Sequence, residues 1–329
     1  MARENEIDWN LLKMLIRKGK LTPVIGDRVG HHGFLTSDTL VQQWATKIGY
    51  PMTKTRNITR VAQYRRDTTD PYLAKVDLLD FLKQYLLNES HGQYTEAFLD
   101  SLQEEADYLD FSDVANRLNY PNFAGEEKNP LSILAQFDIP IYITTSFHPF
   151  MAQALAKTTN KTPRIEVCPW YEETISNRSM LGSMLDAADY KDEPQNPIVY
   201  HLHGIDTIPE SIVLTEDDYL DFLVRTTADA NIVPARIAAA LASSSILLIG
   251  YELQDWDFRV LFRGLIRSWH KQNRPRSICI QLDPNENDKE NSLEIENYLK
   301  TYFIDYKFDI YWGDSVTFAH ELWQHLEGS

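Results

Sequence analysis

Short apolar runs alternate with amphipathic stretches along much of this chain. The runs contain four to six residues and predict buried β-strands at 21–25, 139–144, 198–201, 246–249, 277–282 and 308–312. Between and around them, apolar residues recur at helical spacing. This spacing predicts helices at 7–18, 150–157, 216–224, 256–269, 293–302 and 318–326.

The segment between the first two predicted strands has a different character. Helical patterns at 41–48, 72–87 and 94–102 are separated there by prolines and a Pro121/Gly125 loop. We expect a helical insertion or subdomain over approximately 41–136, within a single domain that covers 1–329. The alternation elsewhere predicts an α/β fold with a doubly wound, mostly parallel, Rossmann-like sheet.

Composition narrows the functional classes. The net charge of −16 argues against a general nucleic-acid surface, and we interpret the basic stretch 54–66 as a solvated helix face. Two cysteines, Cys168 and Cys279, are too few for a disulfide framework or a four-thiolate zinc site. The charged N-terminus is not typical of a signal peptide, and 232–251 is too polar for a membrane span. We therefore expect a soluble, cytoplasmic protein without a metal or a direct nucleic-acid partner.

Glycines follow the first predicted strand. Gly26 and Gly30 lie in a turn where a backbone without side chains can approach a pyrophosphate and offer N–H groups to it. The spacing differs from the usual dinucleotide fingerprint, so a simple turn is the alternative.

Polar residues also follow the second and third of these strands. Ser146 ends one apolar run, where its hydroxyl could cap a helix. Strand alternation places His201 and His203 on one face, before a turn at Gly204. A histidine in such a position is often structural, and a metal site would require a third ligand that the sequence does not supply.

Further along, Thr215 precedes three acidic residues and predicts a helix N-cap. Gly250 ends another apolar run and begins the segment Gly-Tyr-Glu-Leu-Gln-Asp-Trp-Asp-Phe-Arg. Its glycine allows a close backbone approach, and its acidic residues are suited to ribose hydroxyls.

Together, these segments resemble the sirtuin-like NAD-consuming domains found in bacterial anti-phage defence proteins. Gly26 matches the first glycine of the family's Gly-Ala-Gly turn, whereas Asp27 and Arg28 replace the small residues that follow. Ser146 stands where the family usually has a catalytic Asn, and His148 stands where it has an Asp.

The resemblance implies a site at the carboxyl ends of the strands. His203 would be the general base, Ser146 would hold water or the ribose hydroxyls, and His148 would orient a group or transfer a proton. Arg28 would contact a phosphate. The residues implied to bind NAD are Gly26, Asp27, Arg28, Gly30, Thr145, Gly250, Tyr251, Glu252 and Asp255.

The implied function is hydrolysis of NAD to nicotinamide and ADP-ribose, with NAD as substrate, in a homo-oligomer that depletes NAD during phage infection. A sensor or effector partner protein is expected beside it. Two alternatives stay open. The first is a catalytically weakened nucleotide-binding or assembly module, and the second is a hydrolase of another N-glycoside.

Overall fold

A seven-stranded sheet forms the centre of the molecule. The computed structural model describes residues 7–29, 37–52, 57–123, 129–171, 193–229, 231–251, 276–281, 294, 297–298, 300–301 and 307–327. Its strands are β1 Leu21–Ile25, β2 Ile141–Thr144, β3 Arg164–Val167, β4 Ile198–His201, β5 Ser245–Ile249, β6 Ser277–Gln281 and β7 Phe308–Trp312. Every pair of neighbouring strands is parallel, in the order β3-β4-β2-β1-β5-β6-β7.

Helices connect and cover these strands. Their bounds are α1 Trp9–Arg17, α2 Asp38–Lys47, α3 Ile58–Thr68, α4 Pro71–Glu89, α5 Glu96–Glu105, α6 Phe111–Arg117, α7 Pro130–Ala135, α8 Phe150–Thr159, α9 Glu216–Ala228, α10 Ala235–Ser243 and α11 Ser315–Glu327. Helices α2 to α7 all lie between β1 and β2 in the chain. The predicted helix at 256–269, and most of the one at 293–302, fall outside the described residues.

Alternate residues of the strands enter two separate apolar cores. Tyr142 and Val199 join one core with α4, α8 and α11, whereas Ile143 and Tyr200 join the other with α9 and α10. A sheet buried on both faces requires continuous apolar strands, and all five residues of both β1 and β5 are buried. The predicted doubly wound α/β fold is therefore confirmed.

The helices of the described segments are not of the membrane-spanning kind, since none combines the length and the apolar character that crossing a bilayer needs.

Candidate functional site

The order in which strands are added to the sheet reverses at β1. From β1 the chain proceeds to β2 on one side, and later to β5 on the other side. Ligands of open α/β sheets bind at such a switch point, outside the carboxyl ends of the strands. The turns after β1, β2, β4 and β5 all emerge at this edge.

The turns after β1 and β5 are in direct backbone contact. The N–H of Gly26 donates to the carbonyl of Ile249 at 2.9 Å, and the N–H of Arg28 donates to the carbonyl of Gly250 at 3.1 Å. A Cβ on Gly26 would lie 2.4 Å from the Gly250 oxygen. Because the two backbones cross this closely, there is no room for a side chain at Gly26 or at Gly250. The expectation that this turn leaves its N–H groups free for a pyrophosphate is wrong for these two groups, because the β1–β5 pairing continues into the turn.

Tyr251 covers the same turn. Its ring occupies the space beside Gly26, and its hydroxyl lies 2.9 Å from the Oγ1 of Thr145 in the turn after β2. The side chain is buried. Tyr251, Gly26 and Thr145 thus lie together, whereas Gly30, Glu252 and Asp255 lie outside the described residues.

A second contact joins the turns after β1 and β2. The Nε2 of His148 lies 3.2 Å from the Oδ1 of Asp27, and the His148 ring stacks on Phe150 with centroids 3.9 Å apart. Asp27 begins the short 3₁₀ turn that also contains Arg28. Both His148 and Asp27 are largely shielded from solvent, so the contact forms in a region of low dielectric constant.

Ser146 lies at the centre of the turn after β2. Its N–H donates to the Oγ1 of Thr144, and its carbonyl lies 3.1 Å from the Nδ1 of His201. The alternative that Ser146 caps a helix is wrong, because α8 begins at Phe150, after Pro149. The Ser146 hydroxyl is buried and has no hydrogen-bond partner among the described residues.

His203 lies beyond the end of β4. The strand ends at His201, so the alternation that predicted a shared face does not reach His203. The His203 ring instead meets Phe222 and Tyr219 of α9 edge-on, with centroids 4.8 and 5.6 Å away. Burial among these rings lowers the pKa of His203 to about 3, so the imidazole is neutral at physiological pH.

Gly204 sets the turn that holds His203. Its φ is +88°, and a Cβ there would lie 2.1 Å from the carbonyl oxygen of Ser211. Both the left-handed backbone and the close crossing require glycine. The segment returns over His203, whose carbonyl accepts from the N–H of Val213 at 3.0 Å.

Ser146, His148 and His203 form a cluster of polar residues at the carboxyl ends of β2 and β4. Two further residues, His201 and Asp206, belong to this cluster, although the sequence did not identify them as site residues. Besides contacting Ser146, His201 is fully buried, and burial lowers its pKa to about 4. Asp206 donates its N–H to the carbonyl of Phe147 at 2.9 Å and accepts the N–H of Ser112 on Oδ2 at 2.6 Å. Burial raises the pKa of Asp206, while the hydrogen bonds from Ser112 lower it.

The cluster contains several buried polar atoms without a hydrogen-bond partner among the described residues: Ser146 Oγ, His148 Nδ1, His201 Nε2, His203 Nε2 and Asp206 Oδ1. A buried polar atom left unpaired costs about 1–3 kcal/mol, so such atoms are usually satisfied by water or by a ligand. Four of them belong to the turns after β2 and β4, and the fifth, His201 Nε2, belongs to the last residue of β4. The arrangement can therefore supply several hydrogen bonds to a polar ligand at the carboxyl ends of these strands.

Ion pairs connect the helical region between β1 and β2 to this edge of the sheet. Arg60 and Arg66 of α3 pair with Glu216 and Asp217 at 3.5 and 2.5 Å. The interpretation of 54–66 as a solvated face fits Arg60, whose side chain is 65% exposed, whereas the Arg66 side chain is largely covered. They meet the acidic first turn of α9, the helix that packs on His203.

A buried lysine reinforces the same junction. The Nζ of Lys75 in α4 lies 3.3 Å from the Oδ1 of Asp218 and donates to the carbonyl of Glu210 at 3.2 Å. Asp218 also completes the predicted N-cap. Its carboxylate accepts the N–H of Thr215, and the Thr215 hydroxyl accepts the N–H of Asp218. The cap thus begins α9 and, through Asp218, also contacts the helical region between β1 and β2.

Other parts of the described chain offer less chemistry. No group of three His, Cys, Asp or Glu side chains is clustered as metal ligands within the described ranges. A small pocket lined by Leu21, Ser245 and Ser277 lies at the amino ends of β1, β5 and β6, at the opposite edge of the sheet.

Comparison with known proteins identifies the family. The SIR2-like domain model matches residues 140–307, just over half of the chain, and includes β2, β4, β5 and the turns that follow them. No curated protein matches the chain. SIR2-like domains use NAD, and the family includes NAD-dependent enzymes. The chain belongs to the SIR2-like domain family.

Proposed function

We propose that this protein hydrolyses NAD⁺ at the bond between nicotinamide and ribose. The observation that carries the proposal is the group of unpartnered polar atoms of Ser146, His148, His201 and His203 beside the switch point. They belong to a chain whose family uses NAD, and they lie where an open α/β sheet binds its ligand.

In the proposed reaction, NAD⁺ and water give nicotinamide, ADP-ribose and a proton. The electron pair of the glycosidic bond passes to the pyridinium nitrogen, so neutral nicotinamide leaves. Positive charge then develops on the ribose, and a water oxygen forms the new bond to the anomeric carbon. This reaction needs mainly a positioned dinucleotide and access for one water molecule.

His203 would accept the proton that the attacking water loses. A general base needs a neutral side chain, and burial keeps the His203 imidazole neutral. The low pKa makes it a weak base, but water bonded to a cationic ribose is itself strongly acidic. A weak base is therefore sufficient at this step.

Ser146 would position the water or the ribose hydroxyls. Its buried hydroxyl can donate one hydrogen bond and accept others, and it has no partner among the described residues. His148 would orient the neighbouring group through its Nδ1, because its Nε2 is already directed to Asp27. Thr145, Tyr251 and the turn containing Gly26 and Arg28 would bind the rest of NAD.

The biological role that we propose is depletion of NAD during phage infection, carried out by a homo-oligomer. A separate sensor or effector protein would provide the trigger. These proposals rest on the resemblance of the motifs to the sirtuin-like domains of defence proteins.

One observation favours a second candidate, a nucleotide-binding or assembly module with weakened catalysis. The N–H groups of Gly26 and Arg28 are bonded to the chain itself, and Tyr251 occupies the space beside Gly26. Ser146 and His148 also replace the Asn and Asp of the family motif.

Measuring nicotinamide release separates the two candidates. Purified protein is incubated with NAD⁺, with related nucleotides as alternative substrates, and products are separated by liquid chromatography. Equal release of nicotinamide and ADP-ribose by the wild type supports hydrolysis. Binding of NAD⁺ without release, in every assembly state obtained, supports the binding module. Cleavage of another N-glycoside but not of NAD⁺ identifies a different hydrolase.

A further inference from the structure

Asp206 is a buried carboxylate that the proposed reaction has not yet used. Its side chain is 1% exposed, its Oδ2 accepts the N–H of Ser112, and its Oδ1 has no partner among the described residues. An ionised carboxylate with an unpaired oxygen is costly inside a protein. Such a group is therefore a candidate for contact with a cationic ligand.

The position of Asp206 supports this assignment. Its N–H donates to the carbonyl of Phe147, the residue between Ser146 and His148, so its backbone is held against the turn after β2. Asp206 and His148 are also close enough to interact electrostatically. Asp206 is therefore adjacent to the residues proposed to surround the bond that breaks.

A second carboxylate, Asp27, lies on the other side of His148. Its Oδ1 is directed to the Nε2 of His148 at 3.2 Å. Asp206 differs because it uses Oδ2 for Ser112 and leaves Oδ1 without a partner among the described residues. Of the two, Asp206 is better placed to offer an oxygen to a ligand.

We infer that Asp206 is a specificity-determining residue whose carboxylate faces the cationic nicotinamide end of the dinucleotide and selects NAD⁺ over NADH. The inference rests on the proposed function, because it requires the nicotinamide end to lie beside Ser146. Oxidised nicotinamide carries a positive charge and reduced nicotinamide does not. A nearby carboxylate within a low-dielectric site distinguishes the two ligands, although the rest of the dinucleotide is identical.

Binding of two ligands that are not hydrolysed tests this inference. The cationic probe is the carbocyclic analogue of NAD⁺, in which a methylene replaces the ribose ring oxygen, and the neutral probe is NADH. Dissociation constants are measured by calorimetry for the wild type, Asp206→Asn and Asp113→Asn. Asp113 is a matched control, because it is an exposed carboxylate in the first turn of α6, next to Ser112.

We expect the wild type and Asp113→Asn to prefer the cationic analogue. We expect Asp206→Asn to reduce that preference at least about tenfold, equivalent to about 1.4 kcal/mol. The amide oxygen of Asn can still accept the N–H of Ser112, so a purely structural role would change both affinities together. Should Asp206→Asn fail to fold, Asp206→Ser is the second variant.

Failure of the inference differs from failure of the proposed function. A wild type that binds both ligands equally, or a preference that Asp206→Asn leaves unchanged, overturns the assignment of Asp206 even if NAD⁺ is hydrolysed. A wild type that binds neither ligand and releases no nicotinamide overturns the proposed function, and the inference with it.

Discussion

The Nε2 of His148 lies 3.2 Å from the Oδ1 of Asp27 and thereby joins the turns after β2 and β1. Each of these residues departs from the motif of the sirtuin-like domains that the chain resembles. Asp27 replaces a small residue, and His148 replaces an Asp. The two departures meet in space, so the carboxylate that the motif carries after β2 has a counterpart after β1. We interpret them as a matched pair rather than as two independent losses.

A double-mutant cycle on Asp27→Ala and His148→Ala measures this coupling. We expect each single variant to be destabilised by about 1–3 kcal/mol, because it removes a contact between two largely buried polar side chains. The double variant should lose less than the sum of the two, by at least about 0.5 kcal/mol. Urea unfolding gives the free energies. Combining His148→Ala with Asp100→Ala, which removes an exposed carboxylate on α5, should be additive. Additivity in the first cycle as well would show that the contact contributes no coupling.

Replacing His203 should remove hydrolysis and leave the fold intact. We expect His203→Ala to lower the turnover of NAD⁺ by about 10²–10⁴, the usual contribution of a general base. Circular dichroism checks the fold, and His91→Ala, at an exposed histidine beside Glu96, is the control. Turnover near that of the wild type would exclude His203 as the base. A variant that does not fold would indicate a structural role for the ring against Phe222.

Ser146 should affect the chemical step more than binding. We expect Ser146→Ala to lower kcat by more than it raises KM, because a group that positions water acts mainly in the transition state. Its stability should hardly change, since the hydroxyl has no partner to lose among the described residues. Ser146→Asn, which restores the motif, should keep or raise kcat. Ser101→Ala, on the exposed side of α5, is the control. An unchanged kcat in Ser146→Ala would mean that another group holds the water.

Acid should destabilise the protein through its buried histidines. The pKa values of His201 and His203 are about 4 and about 3 in the folded protein, below their ordinary value of 6.5. The unfolded chain therefore binds protons first as the pH falls, and stability decreases from about pH 6.5 downwards. From pH 6.5 to 4.5, each histidine should cost about 2.5 kcal/mol.

The variant His203→Phe tests how much of this loss of stability at low pH comes from His203. Phenylalanine fills a similar space between Tyr219 and Phe222 and binds no proton. The free energy of unfolding, measured in urea at each pH, should fall less steeply for this variant. Parallel pH profiles for the variant and the wild type would show that His203 is protonated in the folded state.

The junction between Lys75 and Asp218 should be strongly stabilising. Lys75→Met leaves the Asp218 carboxylate buried without its cation, and we expect a loss of about 3 kcal/mol in the free energy of unfolding. Lys47→Met is a matched control. The Lys75 ammonium lies over the Trp170 ring and the Lys47 ammonium over the Phe81 ring, but the Lys47 side chain is exposed. The control should change stability by less than about 1 kcal/mol. Equal effects of the two variants would show that burial of the Lys75–Asp218 pair adds nothing.

The local pattern of the sequence determined the sheet and most of the helices. β1 and β4 begin and end at the predicted residues, because short, mostly apolar runs bounded by glycine, proline or polar residues carry that information locally. The short edge strand β3 was not predicted. It has four residues, is only partly buried, and forms by pairing with β4. Helices α6, α7 and α10 were not predicted either; α6 and α7 have only seven and six residues, too few to show a helical repeat of apolar positions.

The motifs identified the turns of the candidate site, and the tertiary structure decided what their residues do. The sequence could place Gly26 and Gly250 after strands, but only the pairing of β1 with β5 brings their backbones into contact. Likewise, Asp206 and Ser112 are 94 positions apart and meet because the helical region returns to the turn after β4. The low pKa of His203 comes from the rings of α9 that enclose it. Contacts between distant segments depend on how elements pack, and periodicity within one segment does not encode that packing.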